Sequence, residues 1–195
     1  MKRLALFDFD GTLYKGDSFI AFALYAVGKV SFFKNLLRNF PSLLRWKLGL
    51  LSGSVAKERL FQSLYQGWKL RDFNEKCAGF ATQISTTLRP EVTKHLQNHI
   101  ESGDTVAIVS ASPANWIRPW ADAMGIRHVV ATEIEQRDGV LTGRFSTPNC
   151  VGQEKVGRIK EAFPDSADCE IWAYGDSASD KAMLALADHP VWMRS

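Results

Sequence analysis

Residues 4–12 read Leu4-Ala5-Leu6-Phe7-Asp8-Phe9-Asp10-Gly11-Thr12. A short continuous apolar run closed by a turn signal predicts a buried strand over residues 4–9 and a turn at Asp10-Gly11. That strand delivers two carboxylates, separated by one residue, to its carboxyl end. In an open parallel sheet the carboxyl ends of the strands are where reactive groups gather. An Asp-Gly dipeptide on its own is an ordinary turn former, so the meaning of the pair depends on what the rest of the chain can place beside it.

Working outward, the texture of residues 17–88 is helical. Apolar residues recur at helical spacing, Pro41 and Gly53 punctuate the stretch, and Ser54 and Asp72 are candidate N-caps, which predicts four or five helical segments. After Arg89 the pattern alternates. A helix over 90–102 stops at Gly103, a strand follows over 105–109, and a helix over 113–124 carries Pro119 inside it. Residues 128–135 and 140–145 flank Arg137-Asp138-Gly139, the signal of a β-hairpin. A helix over 153–163, a strand over 170–174, a helix over 179–187 and a short strand over 191–193 complete the reading. Helix and strand in alternation argue for a parallel sheet. The expected architecture is an α/β, Rossmann-like core made of residues 1–16 and 89–195, split by a helical cap over residues 17–88.

Bulk properties narrow the class. At 195 residues, with 46% hydrophobic and 23% charged, the chain suits a packed globular protein and neither disorder nor a disulfide scaffold. A formal net charge of +3 with Lys and Arg spread along the chain argues against a nucleic-acid partner. Cys77, Cys150 and Cys169 are odd in number and lack C-x-x-C spacing, which points to thiols in a reducing compartment and hence to the cytoplasm. Met1-Lys2-Arg3 opens like a signal peptide, but Asp8 and Asp10 interrupt the apolar run too early for one. Residues 19–51 are rich in Phe and Leu, yet Lys29, Lys34, Arg38, Pro41, Arg45 and Lys47 break them below the length of roughly 20 apolar residues that a bilayer span needs. Nothing in the sequence sets an oligomeric state.

Two carboxylates in one crevice can divide labour, one attacking phosphorus while the other manages protons. A phosphate monoester is an anion, so the attack needs a hard cation and positioned donors. Gly175-Asp176-Ser177-Ala178-Ser179-Asp180 supplies two further acids just past a strand, a donor set suited to Mg²⁺. Ser110 closes the strand over 105–109 and could direct its hydroxyl and the next backbone N–H groups at a phosphoryl oxygen. Lys155, near a helix start, could neutralise the same oxygens. Taken singly each has an ordinary explanation: Asp176 closes a turn, Asp180 and Ser110 cap helices, and Lys155 is a solvated lysine.

In combination, Asp8-Phe9-Asp10-Gly11-Thr12, Ser110, Lys155, and Gly175-Asp176-Ser177 with Asp180 resemble the four motifs of the haloacid dehalogenase (HAD) superfamily. The resemblance spans nearly the whole chain and is closest to subfamily IB, the phosphoserine-phosphatase-like branch with a helical cap after the first motif. It implies a magnesium-dependent phosphohydrolase with Asp8 as nucleophile and Asp10 as general acid and base. It further implies that Mg²⁺ is held by the Asp8 carboxylate, the Asp10 backbone carbonyl and Asp176, with Asp180 as ligand or support. Ser110 and Lys155 then hold the phosphoryl group. Dehalogenases dispense with the second aspartate, so Asp10 argues for phosphoryl chemistry. A response-regulator receiver uses a similar acid set, but its acceptor lies midway along a shorter chain, whereas Asp8 is on the first strand.

The substrate stays open at this level. Asp17 stands where phosphoserine phosphatases have a glutamate for the substrate amine, and Ala111-Ser112-Pro113 replaces their glycine-rich stretch. Phosphatidylglycerophosphate phosphatases are also similar around residues 150–156, so a small phosphorylated metabolite and a lipid head-group phosphate both fit. From Ser18 to Lys57 there is no Asp or Glu, while basic residues alternate with Phe, Leu and Trp. Such a stretch is either a cap whose apolar face packs on itself, with Arg59 and Lys57 as candidates for an anionic part of a soluble substrate, or a face that rests on an anionic membrane.

Overall fold

The computed structural model describes residues 2–193. Its first strand, β1 (Lys2–Asp8), is buried from Leu4 onward, as a strand covered on both faces requires. Beside it lie β2 (Thr105–Pro113) and β6 (Cys169–Gly175), and outside those β3 (His128–Thr132) and β7 (His189–Trp192), in the order β3-β2-β1-β6-β7 with every pairing parallel. The registers Asp8↔Val109 and Phe7↔Tyr174 align the carboxyl ends of the three central strands on one edge of the sheet. That alignment is what puts Asp8, Ser110 and the residues after Gly175 side by side.

Between β1 and β2 the chain inserts five helices, α1 (Ser18–Val27), α2 (Lys29–Arg38), α3 (Phe40–Lys47), α4 (Gly53–Tyr65) and α5 (Leu70–Thr86), before α6 (Pro90–Glu101) returns it to the sheet. Asp17 caps α1 by accepting from the Ile20 N–H. Gly28, at φ +76°, lets the chain turn through 118° into α2. Two caps differ from expectation. Ser52 caps α4 through the Val55 N–H, and Ser54 lies inside the helix, where its hydroxyl accepts from Asn149. Helix α5 starts at Leu70 because the Leu70 N–H is held by the Gly139 carbonyl; Asp72 falls in the first turn, where its charge favours the helix dipole instead of capping it.

The hairpin is real but its first arm is divided. β4 (Ile134–Arg137) pairs antiparallel with β5 (Val140–Phe145) through Asp138-Gly139, both at positive φ (51° and 74°), the backbone a two-residue type I′ turn demands. Residues 128–132 instead extend the main sheet as β3, which buries Ala131 against β2. Helices α7 (Ala114–Ala123), with Pro119 inside it, and α8 (Gln153–Ala162) cover the sheet. The helix expected over 179–187 shortens to a 3₁₀ turn, Ala178–Asp180, followed by α9 (Lys181–Leu184).

One apolar cluster continues from the sheet into the inserted helices. Phe22 of α1 stacks on Trp116 of α7 at 4.7 Å between ring centroids and meets Phe73 and Phe80 of α5 edge-on at 5.4 Å. Fully burying an aromatic side chain contributes about 1.5–3 kcal/mol, so these contacts hold the insertion on the sheet edge. No single described helix is long and apolar enough to cross a membrane.

Candidate active site

The site is assembled where β1, β2 and β6 end. Asp8, the last residue of β1, is almost fully buried and accepts through Oδ1 from the Lys155 amine at 2.6 Å. Lys155 comes from the first turn of α8, is 1% exposed, and also donates to Asp180 Oδ1 at 2.6 Å and to the Val109 carbonyl at 3.2 Å. All three protons of the ammonium are thereby directed inward. Asp180 is fully buried, and its Oδ2 accepts from both the backbone N–H and the hydroxyl of Ser177. The bond from the Ser177 N–H is one half of a capping box, whose other half runs from the Asp180 N–H to the Ser177 side chain, and together they fix the loop after β6.

Asp176 completes an acidic group: carboxylate oxygens of Asp8, Asp176 and Asp180 lie within 4.8 Å of one another. Thr12 donates to Asp176 Oδ1 at 3.1 Å. Gly11, at φ +83°, has no Cβ where one would collide with the Asp176 carboxylate, so the turn after Asp10 and the acid after β6 can approach only with glycine there. Arg89 donates to the Gly11 carbonyl at 2.8 Å and steadies the same turn.

The electrostatics follow from burial. Asp8 is pushed up to about 7, first by burial and further by the charges of Asp180 and Asp10, against the pull of Lys155. Asp176 is raised by burial and by Asp180. Burial alone would lower the Lys155 amine, but Asp8 and Asp180 outweigh it and hold the group charged. Asp180 is held below the usual carboxylate range, because Lys155 and Ser177 overcome its burial. The cluster thus has two acids in need of positive charge and one already served. Its ligands are all oxygen, the set that suits Mg²⁺.

The Asp10 carboxylate belongs to a different set of bonds. Its Oδ1 accepts from the Ser18 N–H at 2.6 Å and its Oδ2 from the Ser112 hydroxyl at 2.6 Å. Ser18 Oγ donates to Ser112 Oγ at 3.2 Å and accepts from the Trp116 indole N–H at 3.1 Å. Asp10 is therefore tied at once to the start of α1 and to the end of β2. Ser110, fully buried, accepts through Oγ from the Ser112 N–H at 3.0 Å.

Of the two basic residues weighed on α4, Lys57 faces the site and Arg59 does not. The Lys57 amine donates to the Ala111 carbonyl at 3.1 Å and lies 5.1 Å over the Phe19 ring. Burial lowers its pKa, against the attraction of Asp10 and Asp17. Arg59, two residues on and so on another face of the helix, donates instead to Ser42 on α3. Asp17 is exposed, yet its carboxyl is raised by desolvation from neighbouring atoms and by Asp10.

Sequence reasoning therefore reached Asp8, Asp10, Ser110, Lys155, Asp176 and Asp180, all of which lie at this edge. It quoted Thr12 and Ser112 within motifs but gave them no role, and it missed Ser18, Arg89 and Trp116. Ser112 carried only its place in the stretch after Ser110; Ser18 and Trp116 carried no signal.

Comparison with known proteins agrees with this geometry. The chain is 32% identical over 187 residues to protein CicA of Caulobacter vibrioides, covering 95% of this chain and 83% of the relative. The structure of a protein of unknown function from Bordetella pertussis Tohama I matches with a TM-score of 0.79 at 28% identity, over 95% of this chain and 86% of that one. A substrate-bound phosphoserine phosphatase shares the fold, with a TM-score of 0.66 at 20% identity over 96% of this chain and 83% of the other. The family model for haloacid dehalogenase-like hydrolases matches residues 5–185, from the strand that ends in Asp8 to the helix after Asp180, and with the acids and the lysine gathered at one sheet edge the chain belongs to that family.

Proposed function

We propose that the protein is a magnesium-dependent phosphomonoesterase that works through an aspartyl-phosphate on Asp8, with residues 17–88 as a substrate-selecting cap on a core of residues 1–16 and 89–195. The observation that carries this reading is the separation of the two first-motif acids. Asp8 is joined to Lys155 in a buried acidic group, while Asp10 is held by Ser18 and Ser112 at the base of the insertion. In the first half of the reaction the Asp8 carboxylate attacks phosphorus, the bond from phosphorus to the ester oxygen breaks, and Asp10 gives its proton to the departing alcohol. In the second half Asp10 takes a proton from water, whose oxygen attacks phosphorus and frees Asp8 and inorganic phosphate.

Ser110 and Lys155 are assigned to the phosphoryl oxygens. Asp8 and Asp176, with the Asp10 backbone carbonyl, would hold Mg²⁺, with Asp180 as ligand or support; when bound, the ion supplies positive charge that offsets repulsion between the Asp8 carboxylate and the phosphate. With Lys155 and Ser177 on its two oxygens, Asp180 also serves to position the lysine and the loop. Asp17 and Lys57 are assigned to the non-phosphate part of the substrate, a small phosphorylated metabolite; Arg59, which donates to Ser42, is left out of that set. The exposed apolar face of α2 and α3 favours a second reading in which the phosphate is carried on a lipid head group. Free thiols at Cys77, Cys150 and Cys169 support the cytoplasm as the compartment.

A screen of serine, choline, histidinol, sugar and lipid head-group phosphates with purified protein and Mg²⁺ tests the assignment. Turnover of at least one ester that stops with a chelator and returns with Mg²⁺ is expected. Chelator-resistant turnover, or none of any ester, rejects it.

A further inference from the structure

The insertion exposes apolar surface where a packed helical cap would hide it. Among the described residues, eight of the twelve large hydrophobic side chains that are exposed lie between residues 30 and 50. On α2, Val30, Phe33 and Leu37 recur at i, i+3 and i+7 and form an outer stripe, with Val30 86% and Leu37 74% exposed. The inner side of the same helix is apolar too: Phe32 is buried and Leu36 packs on the common core. Helix α3 contains no buried residue, although it carries Phe40, Leu44 and Trp46, all exposed. Such contiguous exposure marks an interaction surface.

Charge identifies what would cover it. Lys29, Lys34, Arg38, Arg45 and Lys47 lie on these two helices, there is no acid from Ser18 to Lys57, and the rest of the chain has 19 Lys and Arg against 21 Asp and Glu. None of the five forms an ion pair with a described residue. A second copy of this chain would oppose five cations with five more, whereas a surface of anionic lipid offers both an apolar layer for the stripe and negative head groups for the cations. Helix α4 lies beneath this face: it holds α3 through Arg59 to Ser42 and the residue between α2 and α3 through Ser63 to Asn39, and it carries Lys57 into the site.

We infer that the outer face of α2 and α3 docks the protein peripherally on membranes rich in anionic lipid. The inference rests on this surface and stands whether or not the ester hydrolysed is a lipid. The test is co-sedimentation of the full chain with phosphatidylcholine vesicles, with and without phosphatidylglycerol, at low and high salt. Binding to the anionic vesicles alone, weakened by salt, is expected. Each cation near such a surface is worth roughly a fivefold change in binding, so Lys34→Ala with Arg38→Ala should weaken it about 25-fold. Phe33→Ser with Leu37→Ser should abolish it at an unchanged melting temperature. Absence of salt-sensitive binding to anionic vesicles, or binding indifferent to all four substitutions, would overturn the inference. So would a dimer in sedimentation equilibrium that Phe33→Ser with Leu37→Ser dissociates, which would assign the face to a second copy of the chain.

Discussion

At the carboxyl edge of the sheet the charged groups are bonded from within: Lys155 meets Asp8, Asp180 and a carbonyl, Asp10 meets two serines, and Asp176 meets Thr12, with Asp8 and Asp176 still short of positive charge. On the outer face of α2 and α3 nothing is answered, with five cations and a row of large apolar side chains turned to solvent. The two regions place charge under opposite conditions. In the first, burial makes each charge depend on its partners, so a single change propagates. In the second, side chains in high dielectric act almost independently, and their effect appears only when something is brought to them.

Four experiments can break or sharpen this contrast. The largest effect is expected from Asp8→Asn, which keeps the shape of the side chain but removes the proposed nucleophile; turnover should fall by at least about 10⁴-fold with an unchanged circular dichroism spectrum. Activity within tenfold of the natural protein would remove Asp8 from that role. Next, Lys155→Met leaves two buried carboxylates without their shared cation and should cost about 3–5 kcal/mol in urea denaturation. A loss below about 1 kcal/mol, the level of surface pairs, would show that the buried region is no more interdependent than the exposed one.

A smaller effect concerns pH. Asp8 is raised to about 7 from an ordinary 3.8, so between those values the native protein keeps a proton that the unfolded chain has lost. The metal-free fold should therefore lose stability as pH rises from about 4 to about 7 and level off above. Mg²⁺ favours the ionised carboxylate and should raise the melting temperature more at pH 8 than at pH 5. An equal rise at both would place the ion away from Asp8. The smallest effect is expected from Phe33→Ser, within about 0.5 kcal/mol of the natural protein, against about 3–5 kcal/mol for Phe22→Ala in the neighbouring helix. Similar losses for the two would mean that the α2 face is already covered.

Much of the site was legible because it is built from strand ends. An apolar run that stops at Asp8, another that stops before Ser110 and a strand that stops at Gly175 are local signals, and a parallel sheet forces their ends together. The hairpin was only half legible, since the periodicity of residues 128–135 is that of a strand whichever neighbour it takes. Helix caps at Ser54 and Asp72 were misplaced because capping depends on where the backbone enters the helix, and at Leu70 the Gly139 carbonyl from a distant turn decides that.

The sequence by itself determined the order of the strands' reactive ends, the helical insertion after β1, and the acids and lysine that meet at one edge. Their determinants are contained in apolar period, turn residues and chain order. Only the tertiary structure decided that Lys57 and not Arg59 faces the site, that Ser18 and Ser112 hold Asp10, and that Asp180 is committed to Lys155. It also decided which side of α2 is covered. Helical spacing shows which residues share a face, but α2 is apolar on two faces, and burial goes to the one that a neighbouring helix can reach.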